Sequence, residues 1–260
     1  MGAEAQKLFN EAQVALKKII ADKSVKATGI VGFYPANSVG DDIEVYEDET
    51  RSKVVAKFHG LRQQAEKDPE AKEPFLSLSD FIAPKETGIP DYVGLFACSA
   101  GFGSDELVKQ FKAQNDDYNA IMVESLADRL AEAFAEKLHE IVRKDLWGYS
   151  AGEQLGTEDL IKIKYQGIRP APGYPSQPDH TEKATMWKLA NITEQTGISL
   201  TESFAMWPAA SVSGLYFAHP QSSYFAVGKI SKQQVEEYAV RKGEDFEKTQ
   251  TWLQPILNYD

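Results

Sequence analysis

Cysteine and histidine are scarce in this sequence. Among its 260 residues, Cys98 is the one cysteine, and there are four histidines. A single cysteine excludes a disulfide within the chain, so the reducing cytoplasm is the expected compartment. The histidines are isolated from one another and show no spacing typical of metal ligands. We therefore expect no metal site.

Basic residues are outnumbered, and long apolar runs are missing. The 28 Lys and Arg residues stand against 39 Asp and Glu residues, which gives a net charge of −11. Nucleic acids and anionic membranes are bound by clustered Lys and Arg, so we expect neither as a partner. No apolar run approaches the ~20 residues that a membrane-spanning helix requires. The hydrophobic content of 42% is that of an ordinary globular protein.

The patterns that are present place strands early and late in the chain, with helices between them. Strands are predicted at residues 28–34, 42–46, 53–58, 91–98, 214–217 and 223–229. Helices are predicted at residues 3–22, 61–67, 104 onward, 116–147, 181–190, 231 onward and 246–253. Pro35 is expected to end the first strand, before a turn at residues 37–40. Short connections favour antiparallel pairing, so we predict an α+β fold with an antiparallel sheet.

A glycine-containing loop is predicted at residues 99–103, between the apolar strand at 91–98 and the next helix. This order resembles half of a dinucleotide-binding unit. The third glycine position holds Glu106, however, and Asp105 and Glu106 place negative charge where a pyrophosphate would lie. The pattern therefore argues against nucleotide binding.

The predicted helix at 116–147 carries two kinds of stripe. Large apolar residues, from Ile121 to Leu146, form one line, and three alanines spaced four apart form another where a second backbone could pack closely. Glu132 lies between the two faces. It is either a solvated surface glutamate or a ligand contact.

The most distinctive segment is Tyr-Gln-Gly-Ile-Arg-Pro-Ala-Pro-Gly-Tyr-Pro at residues 165–175. Its three prolines fix φ and remove three backbone donors, so a stiff, extended loop rich in carbonyl acceptors is predicted. Carbonyl dipoles suit a cationic ligand, and the guanidinium of Arg169 suits a carboxylate. The alternative is a rigid connector whose arginine caps a helix.

Several motifs occur in order along nearly the whole chain. They include Ile-Arg-Pro-Ala-Pro-Gly-Tyr-Pro at 168–175, Pro-Asp-His-Thr-Glu-Lys at 178–183, Gly-Leu-Arg-Gln-Gln-Ala-Glu-Lys at 60–67 and Leu-Thr-Glu-Ser-Phe-Ala-Met at 200–206. Together they resemble the C-terminal activation domain of cobalamin-dependent methionine synthase. The resemblance implies a single, C-shaped α+β domain with a twisted antiparallel sheet flanked by helices. It also implies that residues 1–260 are one domain of a larger multidomain enzyme.

The resemblance further implies a function. Methionine synthase makes methionine from homocysteine and methyltetrahydrofolate, and its cobalamin is occasionally oxidised to an inactive form. The activation domain binds S-adenosylmethionine and docks on the cobalamin-binding domain, which allows reduction and remethylation. The electron donor would be a flavodoxin-like protein or a diflavin reductase. Cobalamin and zinc would be held by other domains, and the isolated chain would be inactive.

The family's contacts carry over to particular residues. Arg169 would bind the methionine carboxylate, the backbone of Ala171 would contact S-adenosylmethionine, and Tyr224 and Phe225 would line its other side. Glu132 would lie near the ligand, and Tyr174 would face the cobalamin. The position of Ile163 is often acidic in the family, and a further aspartate contact is expected upstream of residue 1.

No catalytic residue is expected, because a sulfonium is already activated and the domain's task is positioning. His180 is the obvious candidate for an acid or base, but a helix-start residue bonded to backbone explains it equally. Two other functions remain open. A self-contained S-adenosylmethionine-dependent methyltransferase would need its own acceptor pocket and general base. A non-catalytic docking module would not need Arg169 in an acceptor-rich loop.

Overall fold

The computed structural model of the chain describes residues 2–68, 70 and 73–259. The helices are α1 (Ala3–Asp22), α2 (Ser104–Ala113), α3 (Asp117–Ile141), α4 (Thr157–Ile161), α5 (Glu182–Ala190), α6 (Ile192–Thr196), α7 (Lys232–Lys242) and α8 (Phe246–Leu253). The strands are β1 (Lys26–Val39), β2 (Asp42–Tyr46), β3 (Val54–Phe58), β4 (Asp91–Phe102), β5 (Ser199–Leu200), β6 (Met206–Trp207) and β7 (Ser211–Tyr216).

The main sheet has five strands in the order β3-β2-β1-β4-β7, and β5 and β6 form a separate pair. Strands β1 and β2 pair antiparallel around a tight turn in which Val39 opposes Asp42. Gly40 occupies this turn with a φ of +60°, a conformation that glycine adopts without strain. The prediction of an antiparallel sheet flanked by helices is confirmed.

The chain divides into two compact units. The first contains residues 1–30, 97–140 and 192–213, and the second contains residues 31–96, 141–191 and 214–260. The chain passes from one unit to the other within β1, β4 and β7, at the end of α3, and between α5 and α6.

The first unit is built around the alanine face of α3. Ala127 and Ala131 pack with Ala100 and Ala210, and all four are buried. The predicted apolar stripe is partly wrong, because Ile121 is 61% exposed. Small side chains let neighbouring backbones approach the helix closely, so the fully buried part of this contact consists of alanines, with Leu130 and Val212 packed against it.

The second unit has its own apolar core. Helices α7 and α8 pack together around the buried residues Leu61, Val227, Ile230, Val235, Tyr238 and Leu253. The side chain of Ser231 accepts a hydrogen bond from the backbone of Gln234 and caps α7. Asp245 caps α8 in the same way.

Two predicted strand ends are wrong. Strand β1 continues through Pro35, and its pairing with β2 begins at Ala36, so the missing N–H of Pro35 is not needed in that ladder. Residues 99–102, predicted as a glycine loop, belong to β4. A Cβ at Gly101 would lie 2.6 Å from Cβ of Pro208, so this glycine permits close packing rather than a turn.

Two other predicted elements are absent. Residues 61–67 form no helix, because their backbone groups bond elsewhere: the N–H of Arg62 donates to the Gln234 side chain at 2.7 Å. Residues 223–229 form no strand. Instead, the N–H of Val227 donates to the carbonyl of Pro175 at 2.8 Å. This segment is therefore held by the proline-rich loop.

Candidate functional site

The first half of the proline-rich loop runs alongside the end of β7. Ile168 and Phe217 exchange two backbone hydrogen bonds, each of 3.0 Å, and the N–H of Leu215 donates to the carbonyl of Pro170 at 2.8 Å. Alternate residues thus bond to the strand, as in an antiparallel ladder. Arg169, between them, has its N–H directed elsewhere, and it donates to the hydroxyl of Tyr224 at 3.0 Å.

Two glycines make this arrangement possible. A Cβ at Gly214 would lie 2.6 Å from the carbonyl oxygen of Pro170, so any residue other than glycine at position 214 would push the loop away. Gly173 has a φ of +93°, and a Cβ there would lie 2.1 Å from the ring of His180. Only glycine combines that conformation with such close packing.

The second half of the loop is a tight turn that binds residues 225–227. Gly173 and Tyr174 each form a backbone hydrogen bond with Gln177, of 2.7 and 2.9 Å. The hydroxyl of Ser176 donates to the carbonyl of Phe225 and accepts from its N–H. The turn therefore fixes the backbone that precedes Val227 and leaves Tyr174 62% exposed.

The guanidinium of Arg169 is held by a buried tyrosine. Its Nη1 donates to the hydroxyl of Tyr165 at 3.1 Å, and its Cζ lies 5.9 Å from the centre of the Tyr165 ring. Tyr165 itself is 8% exposed. Arg169 is half-buried, so its charged group lies at the border between the loop and solvent.

A second arginine contacts the same ring. Cζ of Arg143 lies 4.3 Å from the ring centre of Tyr165, and Arg143 is completely buried. Its Nε and Nη2 donate to the two carboxylate oxygens of Glu153 at 2.8 and 2.7 Å. This two-pronged pair neutralises the buried charge.

Five of the predicted site residues are thus brought into one region of the second unit. Arg169, Ala171 and Tyr174 lie on the loop, and Tyr224 and Phe225 lie on the segment bonded to it. Their individual roles remain predictions.

Similarity to known proteins covers nearly the whole chain. Residues 1–243 match the family described as "Vitamin B12 dependent methionine synthase, activation domain". The chain belongs to this family. A crystal structure described as the MetH reactivation domain bound to AdoHcy is 56% identical to this chain, with a TM-score of 0.96. The similarity covers 100% of this chain and 79% of that one. The family predicted from the motifs is therefore confirmed.

Glu132 lies in the other unit of this activation domain. It is exposed on α3 and lines a cavity of about 360 Å³ together with Ser125, Asp128, Arg129 and residues 209–212. Its expected place near the ligand remains a prediction.

Directly after the loop, the activation domain contains a buried cluster of charges. The ammonium group of Lys242 on α7 contacts the carboxylates of Asp179 and Glu182, and the hydroxyl of Tyr238 donates to Asp179 at 2.8 Å. Burial by itself would raise the pKa of Asp179, but the charge of Lys242 and the hydrogen bonds from Lys242 and Thr181 together outweigh it and lower that pKa. Burial raises the pKa of Glu182. The cluster joins the end of the loop to α7.

His180 is exposed next to this cluster and packs against Gly173. Its Nδ1 lies 3.1 Å from Nζ of Lys183. Partial burial and the charge of Lys183 lower the pKa of His180. Burial also lowers the pKa of Lys183. The pair thus favours a neutral imidazole.

The described part of the activation domain lacks two further features. Within residues 2–68, 70 and 73–259, no three His, Cys, Asp or Glu side chains are grouped so as to hold a metal ion. Over the same residues, no helix has both the length and the apolar character needed to cross a membrane.

Sequence reasoning missed the residues behind the loop. Tyr165 was included in the loop motif but was given no role, and the pairing of Arg143 with Glu153 was not predicted. Their separation of ten residues follows no helical spacing. The sequence signal that could have indicated a role for Tyr165 was its place in the loop motif, four residues before Arg169.

Proposed function

We propose that this chain binds S-adenosylmethionine along the loop at 165–175 and takes part in the reductive remethylation of cobalamin in methionine synthase. The observation that carries the proposal is the hydrogen bond from the N–H of Arg169 to the hydroxyl of Tyr224. It joins the two predicted halves of the binding site. The AdoHcy in the 56% identical MetH reactivation domain supports the same class of ligand.

The residues fit the chemistry of this ligand. S-adenosylmethionine has a carboxylate, an amino group and a sulfonium, so it carries both signs of charge. Arg169 would bind the carboxylate, since a guanidinium matches its two oxygens. The backbone of Ala171 would contact the ligand, and its carbonyl, which accepts from the N–H of Tyr174 at 3.1 Å, has a second lone pair for a positive group. Tyr224 and Phe225 would line the other side, and Glu132 would add a negative charge.

The proposed task is positioning rather than acid–base chemistry. When bound, S-adenosylmethionine supplies an activated methyl group, because its sulfonium is a good leaving group. The chain's own residues would hold that group in place and exclude water. Tyr174, exposed at the tip of the turn, would face the cobalamin.

The proposal includes partners outside this chain. Residues 1–260 would form one domain of a larger enzyme, whose separate domains bind cobalamin and zinc. A flavodoxin-like protein or a diflavin reductase would supply the electron, and the cytoplasm would be the compartment.

Calorimetry tests the proposal at its base. S-adenosylmethionine and S-adenosylhomocysteine are expected to give saturable binding, and Tyr174→Phe is the matched control because Tyr174 is assigned to the cobalamin side. Absence of both a calorimetric signal and a thermal shift at saturating ligand would contradict it. A methyl-transfer time course with small acceptors, without cobalamin, should show no turnover. Turnover would favour a self-contained methyltransferase, and binding of a partner domain without any ligand binding would favour a docking module.

A further inference from the structure

Tyr165 lies between two arginines, the buried Arg143 and the half-buried Arg169 of the loop. The Cζ atoms of Arg143 and Arg169 are 4.3 and 5.9 Å from its ring centre. Its hydroxyl accepts a hydrogen bond from Arg169, so the tyrosine contacts Arg169 through both ring and oxygen. An arginine over an aromatic face is attracted to it.

Two arginines near one ring would ordinarily repel each other. The carboxylate of Glu153 removes this problem, because it pairs with the Arg143 guanidinium through two hydrogen bonds of 2.8 and 2.7 Å. Glu153 is nearly buried, with 8% of its side chain exposed, so solvent screens this pair little. Arg143 therefore supports the ring without presenting a net charge to Arg169.

We propose that Tyr165, supported by the Arg143–Glu153 pair, is a positioning residue that fixes the guanidinium plane of Arg169 for carboxylate recognition. The inference rests on the proposed function. A guanidinium is rigid and planar, so fixing one N–H donor fixes the directions of all five. A two-pronged contact with a carboxylate requires that orientation, whereas a simple attraction between charges does not.

The consequence is a preference among ligands. Tyr165 should contribute to binding of molecules that carry the amino-acid carboxylate, and it should contribute nothing to binding of otherwise identical molecules that lack it. Tyr165→Phe removes the hydroxyl but keeps the ring against Arg143, so it leaves no large cavity. It therefore isolates the orientation of Arg169 from the packing of the core.

The experiment compares S-adenosylmethionine with its decarboxylated analogue by calorimetry. In Tyr165→Phe, affinity for S-adenosylmethionine should fall about three- to tenfold, the usual effect of one hydrogen bond. Affinity for the decarboxylated analogue should change less than twofold. Tyr46→Phe is the matched control: Tyr46 is a buried tyrosine of the same unit, with Cζ of Arg51 5.7 Å from its ring centre. It should alter neither affinity.

A measurement without ligand keeps the two proposals distinguishable. The Nε–H group of Arg169 should become more mobile in Tyr165→Phe, which ¹⁵N relaxation detects in the free protein. Equal losses for both ligands, or an unchanged Arg169 Nε–H order parameter, would overturn the role of Tyr165. If the wild-type chain bound neither ligand, the proposed function would fail, and the relaxation measurement would still decide whether Tyr165 orients Arg169.

Discussion

Arg143 and Arg169 contact the same tyrosine, yet their surroundings are opposite. Arg143 is completely buried, and its guanidinium donates a hydrogen bond to each oxygen of the Glu153 carboxylate. Arg169 is half-buried on a loop, where its backbone and side chain donate to the hydroxyls of Tyr224 and Tyr165. The same side chain thus serves the fold in one case and faces solvent in the other.

The difference lies in the groups that orient the two guanidinium groups. The Glu153 carboxylate neutralises the charge of Arg143, so a ligand carboxylate would have to compete with Glu153 for this guanidinium. A tyrosine hydroxyl, which accepts from the Arg169 side chain, adds no charge of its own. Arg143 therefore suits a structural role, and carboxylate recognition by Arg169 belongs to the proposed function.

The largest expected effect comes from removing the buried arginine. Arg143→Ala leaves the Glu153 carboxylate buried without its partner, which should lower the free energy of unfolding by about 3–5 kcal/mol. Urea denaturation measures this change. In Arg143→Met/Glu153→Leu, most of the stability should return, because no charge remains buried. A loss below about 1 kcal/mol in Arg143→Ala would show that the pair is not structural.

Removing the exposed arginine should act on binding instead. Arg169→Ala should weaken S-adenosylmethionine binding by about 1.5–3 kcal/mol, the range for hydrogen bonds to charged groups. Arg169→Lys should recover only part of this, because an ammonium cannot reproduce the fork of a guanidinium. Calorimetry provides the affinities. Equal affinity in the wild type and Arg169→Ala would make Arg169 structural, like Arg143.

Tyr224→Phe tests the backbone half of the Arg169 contacts. It removes the hydroxyl that accepts from the Arg169 N–H and keeps the ring. Binding should weaken by about 0.5–1.5 kcal/mol, and the guanidinium contact with Tyr165 should persist. Calorimetry together with Arg169 Nε–H chemical shifts separates the two contacts. A Tyr224→Phe effect as large as that of Arg169→Ala would contradict this separation.

The smallest effect concerns pH. Arginine side chains in general stay charged in proteins, so a pH effect requires another group. Burial, with the charges of Lys242 and Lys57, lowers the pKa of His59 despite Glu182 and Asp179, and its Nδ1 lies 3.2 Å from Asp42. As the pH falls, the unfolded chain therefore binds the His59 proton at a higher pH than the folded chain does. His59's contribution to stability is full above about pH 6.5 and is lost as pH falls through its lower folded pKa.

His59→Gln is the variant that checks this pH dependence. The fall in unfolding free energy below about pH 6.5 should flatten in urea denaturation series. An identical slope in wild type and variant would assign the dependence to other groups.

Periodicity predicted long helices well but not which of their residues are buried. The spacing of apolar residues located α3, whereas most of its buried residues are alanines, such as Ala127 and Ala131. Alanine is less hydrophobic than isoleucine, but the neighbouring backbone lies so close to α3 that only a helix face of small side chains can pack against it. Ile121 is therefore exposed despite its apolar side chain.

Local rules failed where partners distant in sequence supply the hydrogen bonds. Pro35 was expected to end β1, and residues 223–229 were expected to form a strand. The loop satisfies the N–H of Val227 instead, across more than fifty residues of sequence. The contact of Arg169 with Tyr224, more than fifty residues away in sequence, was out of reach for the same reason, although the loop motif itself identified Arg169.

The backbone bonds between Ile168, Pro170 and β7 also set how the site responds over time. A loop bonded to a strand loses most of its freedom when the chain folds, so little ordering is left for the moment of ligand capture. The amides of Ile168, Leu215 and Phe217 should exchange with solvent deuterium as slowly as strand amides, in the free and bound chain alike. The site should then receive its ligand as a rigid receptor, and differences in affinity among variants should arise from the dissociation rate.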